Sequence, residues 1–142
     1  MKAKQVSVFL ENKSGRLNEV AQILGNAGVN ISAFTVADTS DFGVLRLIVS
    51  DPEKAVSVLK EKQFSARTTD VVLANSPNKP GALSKMLNIL NDEGVFIEYL
   101  YAFTMNSDAA VIVIRPTNIN KCIENLEKHH DELLSDSGSY NL

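Results

Sequence analysis

The 142-residue sequence contains one cysteine and no tryptophan, and no run of apolar residues long enough to cross a bilayer. With Cys122 alone, an intrachain disulfide is impossible, and so is a CxxC pair for metal or redox work. Ile119, Ile123 and Leu126 flank it at helical spacing, which predicts a small core residue. A membrane span needs roughly 18 consecutive apolar residues. Met1-Lys2-Ala3-Lys4 instead runs straight into the strand-like Val6 to Leu10 without an apolar leader. The expectation is a cytoplasmic protein with no membrane contact. Basic charge is not in excess either: 14 Lys and Arg stand against 17 Asp and Glu, for a net charge of −3. That balance gives no electrostatic footprint for nucleic acid.

The patterns that announce catalysis are missing as well. There is no GxSxG, HExxH or GxxxxGK[ST]. His129-His130 falls at a helix end, where an imidazole complements the dipole, and it has no third partner for a metal or a triad. No catalytic residue, metal or cofactor is expected, and the chain does not read as an enzyme.

What the sequence does contain is a repeat. Residues 5–50 set against 71–116, an offset of 66, are identical at eleven positions without a gap. Asn12/Asn78, Lys13/Lys79, Gly15/Gly81, Leu17/Leu83, Gly28/Gly94, Val29/Val95 and Ile31/Ile97 are among them, at turn and core positions. Each copy opens with a strand-like run, Gln5 to Leu10 or Asp70 to Ala74, and then a polar turn closed by glycine. Leu17, Val20, Ala21 and Leu24 follow at helical spacing, as do Leu83, Met86, Leu87 and Leu90. Gly28 and Gly94 stand where a helix end needs a left-handed residue. Residues 30–38 with 44–49, and 96–104 with 109–114, read as hairpins.

The second helix of copy one starts at Asp51-Pro52, an N-cap with proline at N1, and its counterpart starts near Thr117-Asn118. A closing strand is expected at Phe64 to Thr68 and another at Glu132 to Leu134, with a partly disordered polar tail from Ser135. The order βαββαβ, twice, predicts an α+β protein with modules at 1–69 and 70–142, each an antiparallel sheet carrying both helices on one face.

A sheet covered on one face should alternate apolar and polar residues. Val44 to Val49 holds one charge, Ala109 to Ile114 none, and Tyr99 to Phe103 is apolar or aromatic throughout. The second face therefore needs a cover, and a sheet from a second chain, giving a homodimer, is the expected one. The same strands lack the basic, glycine and aromatic pattern of an RNA-binding sheet.

Asn12-Lys13-Ser14-Gly15-Arg16-Leu17 and Asn78-Lys79-Pro80-Gly81-Ala82-Leu83 resemble the Asp/Asn-x-Pro-Gly-x-Leu turn of the ACT domain family of amino-acid-sensing regulatory modules. Gly28-Val29-Asn30-Ile31 and Gly94-Val95-Phe96-Ile97 resemble that family's Gly-Ile-Asn-Ile entry to its second strand. The resemblance covers nearly the whole chain and is greatest to free-standing double-ACT proteins of the acetolactate-synthase-regulator kind. It implies two ferredoxin-like modules pairing side by side, with ligands between modules, under the turn of one and against the second strand of the other.

On that basis Asn12, Ser14, Gly15, Arg16 and Leu17 would face Phe96, Ile97, Glu98 and Tyr99. Asn78, Pro80, Gly81, Ala82 and Leu83 would face Asn30, Ile31 and Ser32. A helix N-terminus suits a carboxylate, and glycine lets it approach the backbone. Asn12, Asn30 or Glu98 would accept from the ammonium. Glu98 and its aromatic neighbours favour a polar or aromatic amino acid, histidine among them, over a branched aliphatic one. Ser14, in the place of the family's proline, is expected to cap its helix, and Phe96 in the place of asparagine makes the two sites inequivalent. The alternative is a protein-interaction subunit that docks on a biosynthetic enzyme without an effector of its own.

Overall fold

The computed structural model describes residues 1–11, 13–38, 42–104 and 106–134. The elements run β1 (Lys2–Glu11), α1 (Arg16–Asn26), β2 (Ile31–Asp38), β3 (Phe42–Val49), α2 (Pro52–Glu61), β4 (Ser65–Pro77), α3 (Ala82–Asp92), β5 (Ile97–Thr104), β6 (Ala109–Pro116), α4 (Ile119–Lys128) and α5 (His130–Leu134). The chain divides into two compact units. Lys4–Thr69 forms the N-terminal module, and Met1–Ala3 joins the chain from Asp70 onward in the C-terminal module.

In the N-terminal module β3 lies between β1 and β2, antiparallel to both, with Val6 and Phe34 each opposite Leu47. Period-two alternation sends Val6, Val8 and Leu10 of β1 to the same face as Leu45, Leu47 and Val49 of β3. Val20 and Leu24, one helical turn apart on α1, and Ala55 and Leu59 on α2 pack against them to close one core. Both helices therefore cover the same face. The C-terminal module repeats this: β6 pairs with β4 (Val72 opposite Ile114) and β5 (Tyr101 opposite Val113), and Met86, Leu90 and Cys122 cover Val72, Ile112 and Ile114. Ile119, Ile123 and Leu126 flank Cys122 in that core, and burial pushes its thiol up to about 11, so it remains protonated.

The second helices begin as their sequences predict. Asp51 Oδ1 accepts from the Lys54 N–H at 3.1 Å with Pro52 opening α2, and Asn118 Oδ1 accepts from the Lys121 N–H at 3.1 Å to start α4. Gly28 and Gly94 take the left-handed conformation expected of them.

Two expectations meet a different outcome. The strands predicted at Phe64 to Thr68 and Asp70 to Ala74 are one continuous strand of 13 residues, β4. The strand predicted at Glu132 to Leu134 is helical instead. Asp131 and Glu132 occupy the first turn of α5, where acidic residues complement the helix dipole, and Leu133 is buried in the core. Beside β4 it is the chain start that pairs: Leu73 N–H donates to the Met1 carbonyl at 2.7 Å, the Met1 ammonium donates to the Leu73 carbonyl at 3.0 Å, and Lys2 pairs with Asp70.

The cover of the sheet is seen here for the single chain. Val111 and Val113 alternate with the helix-facing Ile112 and Ile114, so they point to the opposite face, yet they are only 6% and 0% exposed in the single chain. Gln5 and Ser7, which alternate in the same way with Val6 and Val8, are also buried, with Gln5 Nε2 donating to Ser7 Oγ at 3.2 Å. The apolar character of β6 therefore does not by itself call for a second chain. Exposed apolar side chains stand elsewhere, on the edge strand β2 (Phe34, Val36) and at the entry to β5 (Phe96). The predicted tail from Ser135, the hairpin residues Thr39 to Asp41, Met105 and Asn12 lie outside the described residues. No helix among the described residues is long and apolar enough to cross a membrane.

Candidate ligand-binding turns

Each module carries a glycine at the start of its first helix. Gly15 has φ 85° and Gly81 φ 87°, a conformation costly for any residue with a Cβ, and each is the N-cap. The expectation for Ser14 is thereby corrected. The cap position belongs to Gly15, one residue on, and glycine has no side chain with which to accept a bond. The first-turn donors of α1 and α3 have no side-chain cap, whereas those of α2 and α4 are capped by Asp51 and Asn118. In each module the helix after the first strand thus lacks a side-chain cap and the other has one. The Arg16 N–H donates instead to the Lys13 carbonyl (3.4 Å) and the Ala82 N–H to the Lys79 carbonyl (3.2 Å), which leaves the next two amides of each helix for another acceptor.

The surroundings of the two turns differ. Beside Gly15, Lys13 Nζ lies 2.9 Å from Glu11 Oε2, and Arg16 contacts both Glu19 (3.3 Å) and Glu11 (3.9 Å). The Lys13 hydrogen bond and charge, with the charge of Arg16, hold the Glu11 carboxyl below its ordinary range. The Arg16 guanidinium stacks 5.2 Å above the ring of Phe64. Leu17 and Leu83 are both exposed for their type. At the second turn Pro80, Gly81 and the half-buried Ala82 follow Asn78, which is occupied structurally: its side-chain amide donates to the Ser107 carbonyl (3.3 Å) and its N–H to the Asp108 carbonyl (3.0 Å). Asn78 therefore ties the turn to the loop before β6.

The second-strand residues sit far from the turn of their own module. Glu11 is level with Phe42, at the start of β3, and Ile31 is level with Val49, at its end, roughly 24 Å away along the strand. Pro77 and Ile97 are separated along β6 in the same way. A ligand touching a turn and a strand entry therefore requires two modules. At the strand entries, the Ser50 N–H donates to the Asn30 carbonyl and the Asn30 N–H to Ser50 Oγ, both at 2.9 Å, and Ser32 is exposed. Phe96 is 75% exposed, and Tyr99 faces away from the helices opposite Arg115. Glu98 is paired with Arg115 Nε at 3.2 Å, and Arg115 Nη1 donates to the Asp70 carbonyl.

Sequence reasoning missed the α3 side of this strand entry. Phe96 and Ile97 line an open groove of about 390 Å³ with Leu87, Asn88 and Asn91 of α3. Asn88 and Asn91, polar positions beside the apolar residues of α3, are the signal the sequence offers for it. His129 is held between Glu132 (3.0 Å) and Glu93 (3.9 Å), a helix-end arrangement.

Fold and turns together define a tandem pair of ferredoxin-like modules, each with an open helix start after its first strand. The chain belongs to the ACT domain pair family, whose description matches residues 1–138. It is similar to the acetolactate synthase small subunit of Buchnera aphidicola subsp. Baizongia pistaciae, with 26% identity over 136 residues, 84% of this chain and 82% of that protein. A Bacteroides thetaiotaomicron protein of known crystal structure shares 54% identity at a TM-score of 0.87, covering 92% of this chain and 90% of that one. The ligand-free regulatory subunit of aspartate kinase from Thermus thermophilus shares the fold at a TM-score of 0.62 and 12% identity, covering 90% of this chain and 96% of that chain.

Proposed function

We propose that the protein is a non-catalytic regulator that binds a free amino acid at its glycine turns. The observation that carries this reading is the selective absence of caps. Of the four longer helices, the two that follow a glycine turn leave their first-turn amides without a side-chain acceptor, and the other two are capped by side chains. An α-carboxylate answers an open helix start in both charge and geometry. The amides of Leu17 and Asn18, or of Leu83 and Ser84, would hold the carboxylate. The entry to a second strand from another module would supply the rest of the pocket: Phe96, Ile97, Glu98 and Tyr99 for one site, Asn30, Ile31 and Ser32 for the other. The family, and the similarity to a synthase small subunit, support regulation of a metabolic enzyme as the purpose of that binding. Self-association would use the exposed apolar residues of the edge strands, Phe34 and Val36, rather than the sheet face.

Thermal denaturation in the presence of each of the twenty amino acids tests this. A ligand at 100 times its Kd adds about 2.7 kcal/mol, which for a chain of this size raises Tm by roughly 5–10 °C. At least one amino acid is expected to do so. If none moves Tm at millimolar concentration, docking on a partner enzyme without an effector replaces this reading.

A further inference from the structure

The end of the N-terminal module beside Gly15 holds a cavity of about 220 Å³ that the turn motif does not announce. Glu11 is the register partner of Phe42, and Phe9 that of Val44, so all four share the sheet face turned away from the helices. Phe9 and Phe42 are diagonal cross-strand neighbours, about 7–8 Å apart, and remain 46% and 57% exposed. Phe64, at the edge of the helix-side core, and the Arg16 stacked on it line the other side of the cavity. Its lining residues are not repeated in the C-terminal module. At the offset of 66, Phe9, Glu11, Arg16 and Phe42 become Asn75, Pro77, Ala82 and Asp108.

Two phenyl rings left half-exposed around a carboxylate, with a guanidinium at the rim, match a ligand that is apolar in its body and zwitterionic at one end. The volume lies below the ~300–1,000 Å³ of pockets for drug-sized ligands, so the ligand is amino-acid-sized. We propose that this cavity takes the side chain of a free aromatic amino acid, whose ring lies against Phe9 and Phe42 and whose ammonium is received by Glu11. The proposal rests on the amino-acid-binding reading above and narrows it, for the N-terminal module alone, to one ligand class. A third ring meets each phenyl at the offset or edge-to-face separations of about 4.5–7 Å that aromatic pairs adopt. Lys13 and Arg16 both approach Glu11 through Oε2, so the ammonium is received at Oε1. Arg16, which lines the cavity and opens α1, would turn from its contacts with Glu19 and Glu11 toward the carboxylate.

Calorimetric titration of the full chain with L-phenylalanine, L-tyrosine, L-valine, L-lysine and 3-phenylpropionate tests the proposal. The aromatic amino acids should bind at least about 10-fold tighter than valine or lysine. Phe42→Ala, at an exposed position that should leave the fold intact, should weaken them about 10-fold. Glu11→Gln should weaken L-phenylalanine about 10- to 100-fold, the range of a lost hydrogen bond to a charged group, and leave 3-phenylpropionate, which has no ammonium, unchanged. A preference for valine or lysine, indifferent to both substitutions, overturns the aromatic pocket and leaves amino-acid binding standing. Aromatic binding that survives both substitutions at full affinity overturns this location for it. Binding of no amino acid ends both proposals.

Discussion

Val113→Asp is expected to unfold the C-terminal module. Val113 is completely buried on the central strand β6, on the face turned away from the helices. A carboxylate there would be stripped of water, and Arg115, two residues along on the same face, is already engaged by Glu98 and the Asp70 carbonyl, so the change costs about 4 kcal/mol or more. Entire domains are stable by only about 5–15 kcal/mol. Circular dichroism should show loss of roughly half the ordered signal, or a chain recovered only as aggregate. Phe34→Asp is the matching control. Phe34 is 65% exposed on an edge strand, so the change should cost under about 1 kcal/mol while weakening self-association through that edge. A folded Val113→Asp protein melting near the wild type would mean that this face is open in the single chain, and would restore the second-chain cover suggested by the strand composition.

The double substitution Gly15→Val, Gly81→Val should abolish amino-acid binding while leaving both modules folded. No atom lies within 4 Å of where a Cβ would stand at either glycine, so there is no clash to relieve. The cost is torsional: a β-branched residue at φ near +85° costs about 1–3 kcal/mol per site. The new side chain would also crowd the open amides a carboxylate must reach. The ~2.7 kcal/mol of stabilisation at 100 Kd should vanish, a loss of affinity of about 100-fold or more. Gly25→Ala, within α1 with open space around it, should instead raise stability by about 0.5–1 kcal/mol without changing affinity. Full ligand-induced stabilisation in the double variant would remove the turns from the site.

These contrasts also show where local sequence determines structure and where it does not. The two first helices, the Asp51 and Asn118 caps and the left-handed Gly28 and Gly94 were legible because each depends on residues within one or two turns of chain. The outcome at Glu132 to Leu134 was not. Its alternation is too short to separate strand from helix, and the β4 edge is paired by Met1, far away in sequence. That both faces of β6 are covered was legible, but what covers the second face was not, for a related reason: composition reports that a residue will be buried, not which residues will bury it. The turns themselves were recognisable, but the shift of the cap from Ser14 to Gly15 depends on a backbone dihedral, and the commitment of Asn78 to Ser107 on a loop 29 residues away. The cavity beside Gly15 draws Phe9, Arg16, Phe42 and Phe64 from four separate segments, so no spacing in the sequence marks it.

Amino-acid binding at the open helix starts is most directly tested by the amide spectrum of the 15N-labelled protein as amino acids are added. A bound carboxylate should shift the Leu17 and Asn18 amides, or those of Leu83 and Ser84, and leave the side-chain-capped Lys54 and Lys121 amides in place. If none of the twenty amino acids at about 10 mM, ten times a 1 mM Kd, moves any first-turn amide of α1 or α3, the turns are structural and the protein does not sense amino acids through them.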